Sequence, residues 1–153
     1  MSLREKIPQD LKDALRSKKA LELTVLRMLQ SSIRNKEIEK NKKELSDEEV
    51  IEVVGSEIKK RKEASAEFEK VNRHDAEDKE KAEIEILMKY MPSQLTEDEI
   101  RAEVKKAITA ADAKGAKDLG KVMKIIIPAV KGKADGSTVT KIVKEELEKL
   151  EQA

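Results

Sequence analysis

The chain contains no cysteine and no tryptophan, and its only aromatic residues are Phe68 and Tyr90. Without cysteine there are no disulfides and no thiolate metal ligands, and nothing in the composition calls for an oxidising compartment. So few aromatic rings argue against RRM and OB modules, which stack splayed bases on aromatic side chains. No apolar run approaches the length of a membrane span, and the opening MSLREKIPQD lacks the apolar centre of a signal peptide. A soluble, cytoplasmic protein with no membrane partner is therefore expected. An excess of charge of one sign is also missing. Because 33 basic residues face 32 acidic ones, a general nucleic-acid coat is disfavoured and any anion site must be local.

What remains is rich in Ala, Glu, Lys and Leu, with 42% charged residues, five glycines and three prolines, which is a helical composition. The 38% apolar content suffices for a core in one domain or two small ones. Ser2 with Glu5 forms a capping box for a first helix from about Leu3 to Arg16, bent at Pro8. A second helix runs through ALELTVLRMLQSSIRNKEIEKN, with Leu23, Leu26, Leu29 or Gln30, and Ile33 at helical spacing. Ser46 and Glu49, with Leu45 and Val50 as a hydrophobic staple, open a third that reaches about Val71. The pattern lapses around NRHD and resumes in AEDKEKAEIEILMKYMP until Pro92. Thr96 with Glu99 opens a fifth helix to about Ala113, stopped by Gly115. A sixth spans about Lys117 to Gly132, and a seventh runs from after Asp135 to near Leu150. With no period-two stretch, the fold class is all-α: an N-terminal helical bundle over 1–92 and a small three-helix bundle over 93–153.

The segment from Lys114 to Lys144 holds eight lysines against two acids, Asp118 and Asp135. At about 100° per residue, Lys114, Lys117, Lys121, Lys124 and Lys131 share one side of the sixth helix, opposite Leu119, Val122, Met123, Ile126 and Val130. Within that helix only Asp118 is placed to offset them. In the seventh helix, by contrast, Lys141 has Glu145 and Lys144 has Glu148 at i+4, the spacing of a salt-bridged solvated face. The KKRK run at 59–62 is similarly flanked, since Glu57 can reach Arg61 and Glu63 can reach Lys59. The connection KGKADG sets Gly132 at a left-handed position, Asp135 at an N-cap and Gly136 after it, with Lys131 and Lys133 on the rim. A turn with free amides beside a lysine face can hold backbone phosphates, although the Asp135 carboxylate would repel an anion at the helix start. The candidate nucleic-acid contacts are thus Lys117, Lys121, Lys124, Lys131 and Lys133.

Catalytic constellations are not found. There is no glycine-rich phosphate loop before a helix, and Glu83 and Glu85 point about 200° apart on a helix. Glu80 with Glu83, and Asp78 with Lys81, read as solvated helix charge. His74 reads as an exposed loop residue or helix cap, and Met28, Met88, Met91 and Met123 as core packing. No catalytic residue, metal site or cofactor is assigned.

KAEIEILMKYMPSQLTEDEI and DLGKVMKIIIPAVKGKADGSTVTKIVKEEL, with TVLRMLQSSIRNKEIEK and IKKRKEASAEFEKVNR in the first half, resemble the YqeY family over almost the whole chain. The C-terminal part is also similar to the tail domain of the B subunit of the tRNA-dependent glutamyl/aspartyl amidotransferase, GatB. The matching positions are Gly120, Lys121, Val122, Met123, Lys131, Gly132, Lys133, Ala134 and Asp135. This chain has Asp135-Gly136 where the amidotransferase tail reads Asn-Pro. That second resemblance implies a compact helical tail lying against tRNA, away from the centre where carbon–nitrogen ligation uses glutamine as amide donor. It makes tRNA or another structured RNA the expected partner, with a protein partner on the N-terminal helices as the competing expectation.

Overall fold

A computed structural model describes residues 1–152. Among them are seven α-helices and no strand: α1 (Leu3–Arg16), α2 (Ala20–Glu39), α3 (Asp47–Lys70), α4 (His74–Met88), α5 (Glu97–Ala111), α6 (Leu119–Val130) and α7 (Gly136–Gln152). A single 3-10 turn, Ala116–Asp118, precedes α6. The fold is all-α, as the composition and periodicity imply. The chain divides into two compact units, Met1–Met91 and Pro92–Ala153.

Three helices begin with reciprocal capping boxes. The side chains of Ser2, Ser46 and Thr96 accept from the amides of Glu5, Glu49 and Glu99, whose carboxylates accept from the cap amides in return. The helix ends follow a different rule. After α1, α2, α3 and at the end of α5, a residue with φ between 51° and 58° reverses the chain: Lys18, Asn41, Asn72 and Asp112. Each is followed by an amide that reaches back across the last turn. Lys19 N donates to Ala14 O (3.0 Å), Lys42 N to Glu37 O (2.8 Å), Arg73 N to Phe68 O (2.9 Å) and Ala113 N to Ile108 O (3.1 Å). These are Schellman closures, built here without glycine.

Two boundaries therefore differ from the sequence reading. The fifth helix stops at Asp112, not at Gly115, which is extended at φ 177°. Gly115 is instead a place of close approach. A Cβ there would run into the Glu151 side chain, whose Oε1 accepts from Ala116 N at 2.8 Å. The fourth helix begins at His74, inside the stretch where the apolar pattern lapses, because Asn72 has already reversed the chain.

In the N-terminal unit, Ile7 and Ala14 of α1, Val25, Leu26, Leu29 and Ile33 of α2, Val50, Val54 and Ile58 of α3, and Ile86 and Leu87 of α4 form one core. Tyr90 is buried at its edge and donates to Asp10 Oδ2 at 2.6 Å, so the end of α4 is tied to α1. Burial first, and then the Asp10 contact, push its phenol far above the usual range. Met28 departs from the core reading: it is 48% exposed. In the C-terminal unit α5, α6 and α7 pack pairwise around Val104, Val122, Ile126, Val143 and Leu147. Arg101 of α5 clamps α7 by donating to Glu146 (2.7 Å) and Glu145 (3.0 Å).

Lys18 is the one left-handed terminator that is neither Asn nor Asp. Relief of about 1–2 kcal/mol of left-handed strain, offset by about 0.5–1 kcal/mol of added chain entropy, leaves Lys18→Gly more stable by roughly 0.5–1 kcal/mol. The urea midpoint of the variant should rise accordingly.

Candidate nucleic-acid interface

The α6 backbone needs one face for the core, and the apolar residues supply it. Val122, Ile126 and Val130 are buried, while Leu119 and Met123 are half-buried. Lys117, Lys121, Lys124, Lys131 and Lys133 are all exposed. They do not share one helix, however. α6 ends at Val130, so only Lys121 and Lys124 ride on it; Lys117 belongs to the 3-10 turn, Lys131 is the C-cap and Lys133 lies in the following turn. The wet side is also not purely cationic. Ile125 and Ile127 are 39% and 51% exposed on either side of the Lys121–Lys124 line.

Asp118 offsets Lys121 at 3.6 Å but is itself nearly buried. Its carboxylate accepts from Lys114 N at 2.8 Å, and this amide bond, reinforced by Lys121 and Lys117, holds its pKa below the ordinary value. The contrast with α7 takes another form than the spacing implied. Lys141 and Lys144 make no ion pair among the described residues: Glu145 has turned from Lys141 to Arg101 across the bundle, and Lys144 does not pair with Glu148. Exposed lysines are therefore present on α7 as well as on α6.

The turn after α6 is now explicit. Lys131 at φ −55°, ψ 124° and Gly132 at φ 76°, closed by Lys133 N donating to Val130 O at 2.8 Å, make a type II turn with glycine at the position that requires it. The Ala134 amide also turns to Val130 O (3.2 Å). The carbonyls of Gly132 and Lys133 accept from Gln94 Nε2 (2.9 Å) and Leu95 N (2.8 Å). The expectation of free amides at this corner thus fails at Lys133 and Ala134. Asp135 accepts from Ser137 Oγ at 2.7 Å just ahead of α7, and Gly136, the first residue of that helix, is open to solvent. An anion here would be held by lysine side chains rather than by a backbone nest.

Another charged cluster was hidden in the sequence. Arg61, 6% exposed, donates from Nη1 to Glu57 Oε2 (2.9 Å) and from Nε to Glu83 Oε2 (3.1 Å), while Ser32 Oγ donates to Glu57 Oε1 (2.9 Å). Glu83 is thus a buried ion-pair partner, not the solvated helix charge expected, and KKRK is no uniform surface patch. Burial alone would push the Glu57 carboxyl up, but the Arg61 and Ser32 hydrogen bonds and Lys60 outweigh it and leave it lowered. Glu80, beside this cluster, is pushed up by burial and by the Glu83 charge. Because Arg61 and Lys60 together pair with the carboxylates and leave neither as a free base, the cluster is a tie between α2, α3 and α4. The sequence signal for it was the i, i+4 pair Glu57–Arg61; nothing local marked Glu83. His74 is exposed at the start of α4, with Nδ1 3.2 Å from Glu77 Oε1. No group of three or more potential metal-binding His, Cys, Asp or Glu side chains occurs among the described residues, and no described helix is long and apolar enough to cross a membrane.

Compared with known proteins, residues 4–147 match the family model described as Yqey-like protein. No curated protein matches the chain.

Two substitutions test this geometry. Gly132→Ala forces a side chain into the left-handed position and should cost about 1 kcal/mol or more, seen as a lower urea midpoint. Arg61→Met leaves buried Glu83 without its cation and Glu57 with Lys60 alone, at a cost of about 3 kcal/mol at pH 7. In the parent, the stabilisation carried by Glu57, whose folded pKa is lowered, is lost as pH falls through that folded pKa. In the variant Glu57 loses the Arg61 hydrogen bond that outweighs its burial, so its folded pKa rises and the deficit should shrink between pH 7 and about pH 4.5. Denaturation curves at the two pH values check the sign.

Proposed function

The chain belongs to the YqeY family, and on that premise we propose that it is a non-catalytic, cytoplasmic accessory module that associates with structured RNA, tRNA foremost, through the lysine surface of its C-terminal unit. The observation that carries this reading is the run of exposed cations Lys117, Lys121, Lys124, Lys131 and Lys133. The wider segment from Lys114 to Lys144 has just two carboxylates, and both Asp118 and Asp135 already accept hydrogen bonds from protein donors. Side-chain ammonium groups around a rigid turn suit phosphates spaced along a folded RNA, and they position a partner without reading its bases. The resemblance of this segment to an amidotransferase tail, with Lys121, Lys131 and Lys133 among the matching positions, adds tRNA as the RNA of choice. Glutamine-dependent amidation of a misacylated tRNA by the purified chain alone would overturn the non-catalytic part of the proposal.

The binding part has a salt signature. If about four phosphates are neutralised, the slope of log affinity against log salt is roughly −3 to −4, and raising salt from about 50 to 200 mM weakens binding on the order of 100-fold. Lys121→Glu with Lys124→Glu should flatten that slope by about two and weaken all structured tRNAs alike. Lys70→Glu with Lys106→Glu is the matched control: both lysines are exposed, and each has a glutamate three residues earlier within 3.3 Å. Filter binding across a salt series decides between them. Equal loss from both pairs, or tRNA binding that is absent at low salt, sinks the reading.

A further inference from the structure

The N-terminal unit holds as many acidic as basic residues, yet one groove on it is strongly one-sided. It lies between the start of α1, the outer face of α2 and the α2–α3 connection, and encloses about 860 Å³. Arg4, Arg27, Arg34, Lys42 and Lys43 line it against a single acid, Glu37. Glu37 is already engaged, since it accepts from Leu45 N at 3.2 Å and pairs with Arg4 at 3.5 Å. Lys42 is held by Glu49 at 2.8 Å. Arg27, Arg34 and Lys43 make no ion pair among the described residues. Arg4 is itself paired with Glu37 and with Glu44 at 3.0 Å, so Arg27, Arg34 and Lys43 are the cations the groove offers a partner.

We propose that this groove docks an acidic, amphipathic helix of a protein partner. Arg27, Ser31, Arg34 and Ile38 stand at i, i+4, i+7 and i+11 on α2, one stripe roughly 16 Å long that matches about three turns of a second helix. Ile38 is 70% exposed, and the groove floor is apolar where Ile7 and Pro8 meet Ile33. A phosphodiester backbone has no apolar ridge to cover such a floor, and the groove offers no aromatic ring for a base to stack on. A helix with leucines on one stripe and glutamates on its flanks meets both demands, since guanidinium forks take carboxylates in pairs. Docking here uses the N-terminal unit and is independent of RNA binding by the C-terminal one.

The probe is a fluorescent, end-capped synthetic helix of about four turns, with leucine at i, i+4, i+7 and i+11 and glutamate on both flanks. Its all-glutamine counterpart and an oligouridylate of equal charge serve as comparators. The acidic peptide should bind the full chain, and the glutamine peptide should bind about tenfold more weakly or worse. Arg27→Gln with Arg34→Gln should cost the acidic peptide a similar factor, with the urea midpoint unchanged because both side chains are exposed. Ile38→Ala should weaken it further, and Lys121→Glu with Lys124→Glu should leave it alone. The proposal is overturned if the acidic peptide does not bind, if the glutamine peptide binds equally well, or if oligouridylate binds with the same dependence on Arg27 and Arg34. The last result would make the groove a nucleic-acid site.

Discussion

Every α-helix leaves four amides at its start and four carbonyls at its end without partners inside the helix. In a bundle of short helices, how these are satisfied decides where the chain turns and which apolar stripes meet. Here the starts of α1, α3 and α5 are closed by side chains, through Ser2, Ser46 and Thr96. The ends of α1, α2, α3 and α5 are closed by the backbone itself, through a left-handed residue and a long reach back to the last turn. Leu26, Val54 and Leu87 can share one core because Lys18, Asn41 and Asn72 reverse the chain at the right points.

This division explains what could be read in advance. A capping box is written in residue types at fixed spacing, so all three helix starts were legible. A Schellman closure is written in backbone angles, and only glycine or asparagine announces it. Asn41 and Asn72 are residue types that suit the position but are not read as stops, Lys18 carries no such mark, and Gly115 draws attention away from Asp112. The turn at Gly132 was legible as a corner, but that its amides close on Val130 depends on a hydrogen-bond pattern no residue type specifies.

Charge was legible only where it stayed local. Spacing of i, i+4 on a helix describes pairs that compete with water alone, and such pairs contribute little. Once a neighbouring helix offers an arginine, the local rule loses. Glu145 leaves Lys141 for Arg101, and Glu83 meets Arg61 across 22 positions of sequence. In the interior a guanidinium can hydrogen-bond two carboxylates at once, and Lys60, 3.6 Å from Glu57, supplies the second positive charge. The lysine face of α6 was legible for the opposite reason. No neighbouring helix draws Lys121 and Lys124 inward, so helix geometry places both outward, with Asp118 one turn before Lys121 as a local partner.

The two cationic surfaces differ in what they can recognise. The lysines near α6 are strongly hydrated point charges on flexible stems, edged by Ile125 and Ile127 and anchored to a turn whose amides at Lys133 and Ala134 already serve the fold. Such a surface attracts phosphate through counterion release, tolerates shifts in register, and gains selectivity only from the shape of the RNA that can touch it in several places. The α2 groove presents guanidinium planes beside exposed Ile38, over a floor formed in part by Ile7, Pro8 and Ile33. Planar forks beside an apolar floor reward a partner whose carboxylates and aliphatic side chains alternate at fixed spacing. Leaving these cations exposed costs the folded chain little, since surface ion pairs would have contributed only about 0–1 kcal/mol each. Stability therefore does not account for either surface, whereas desolvation by a partner would make each contact count for more than it does in water.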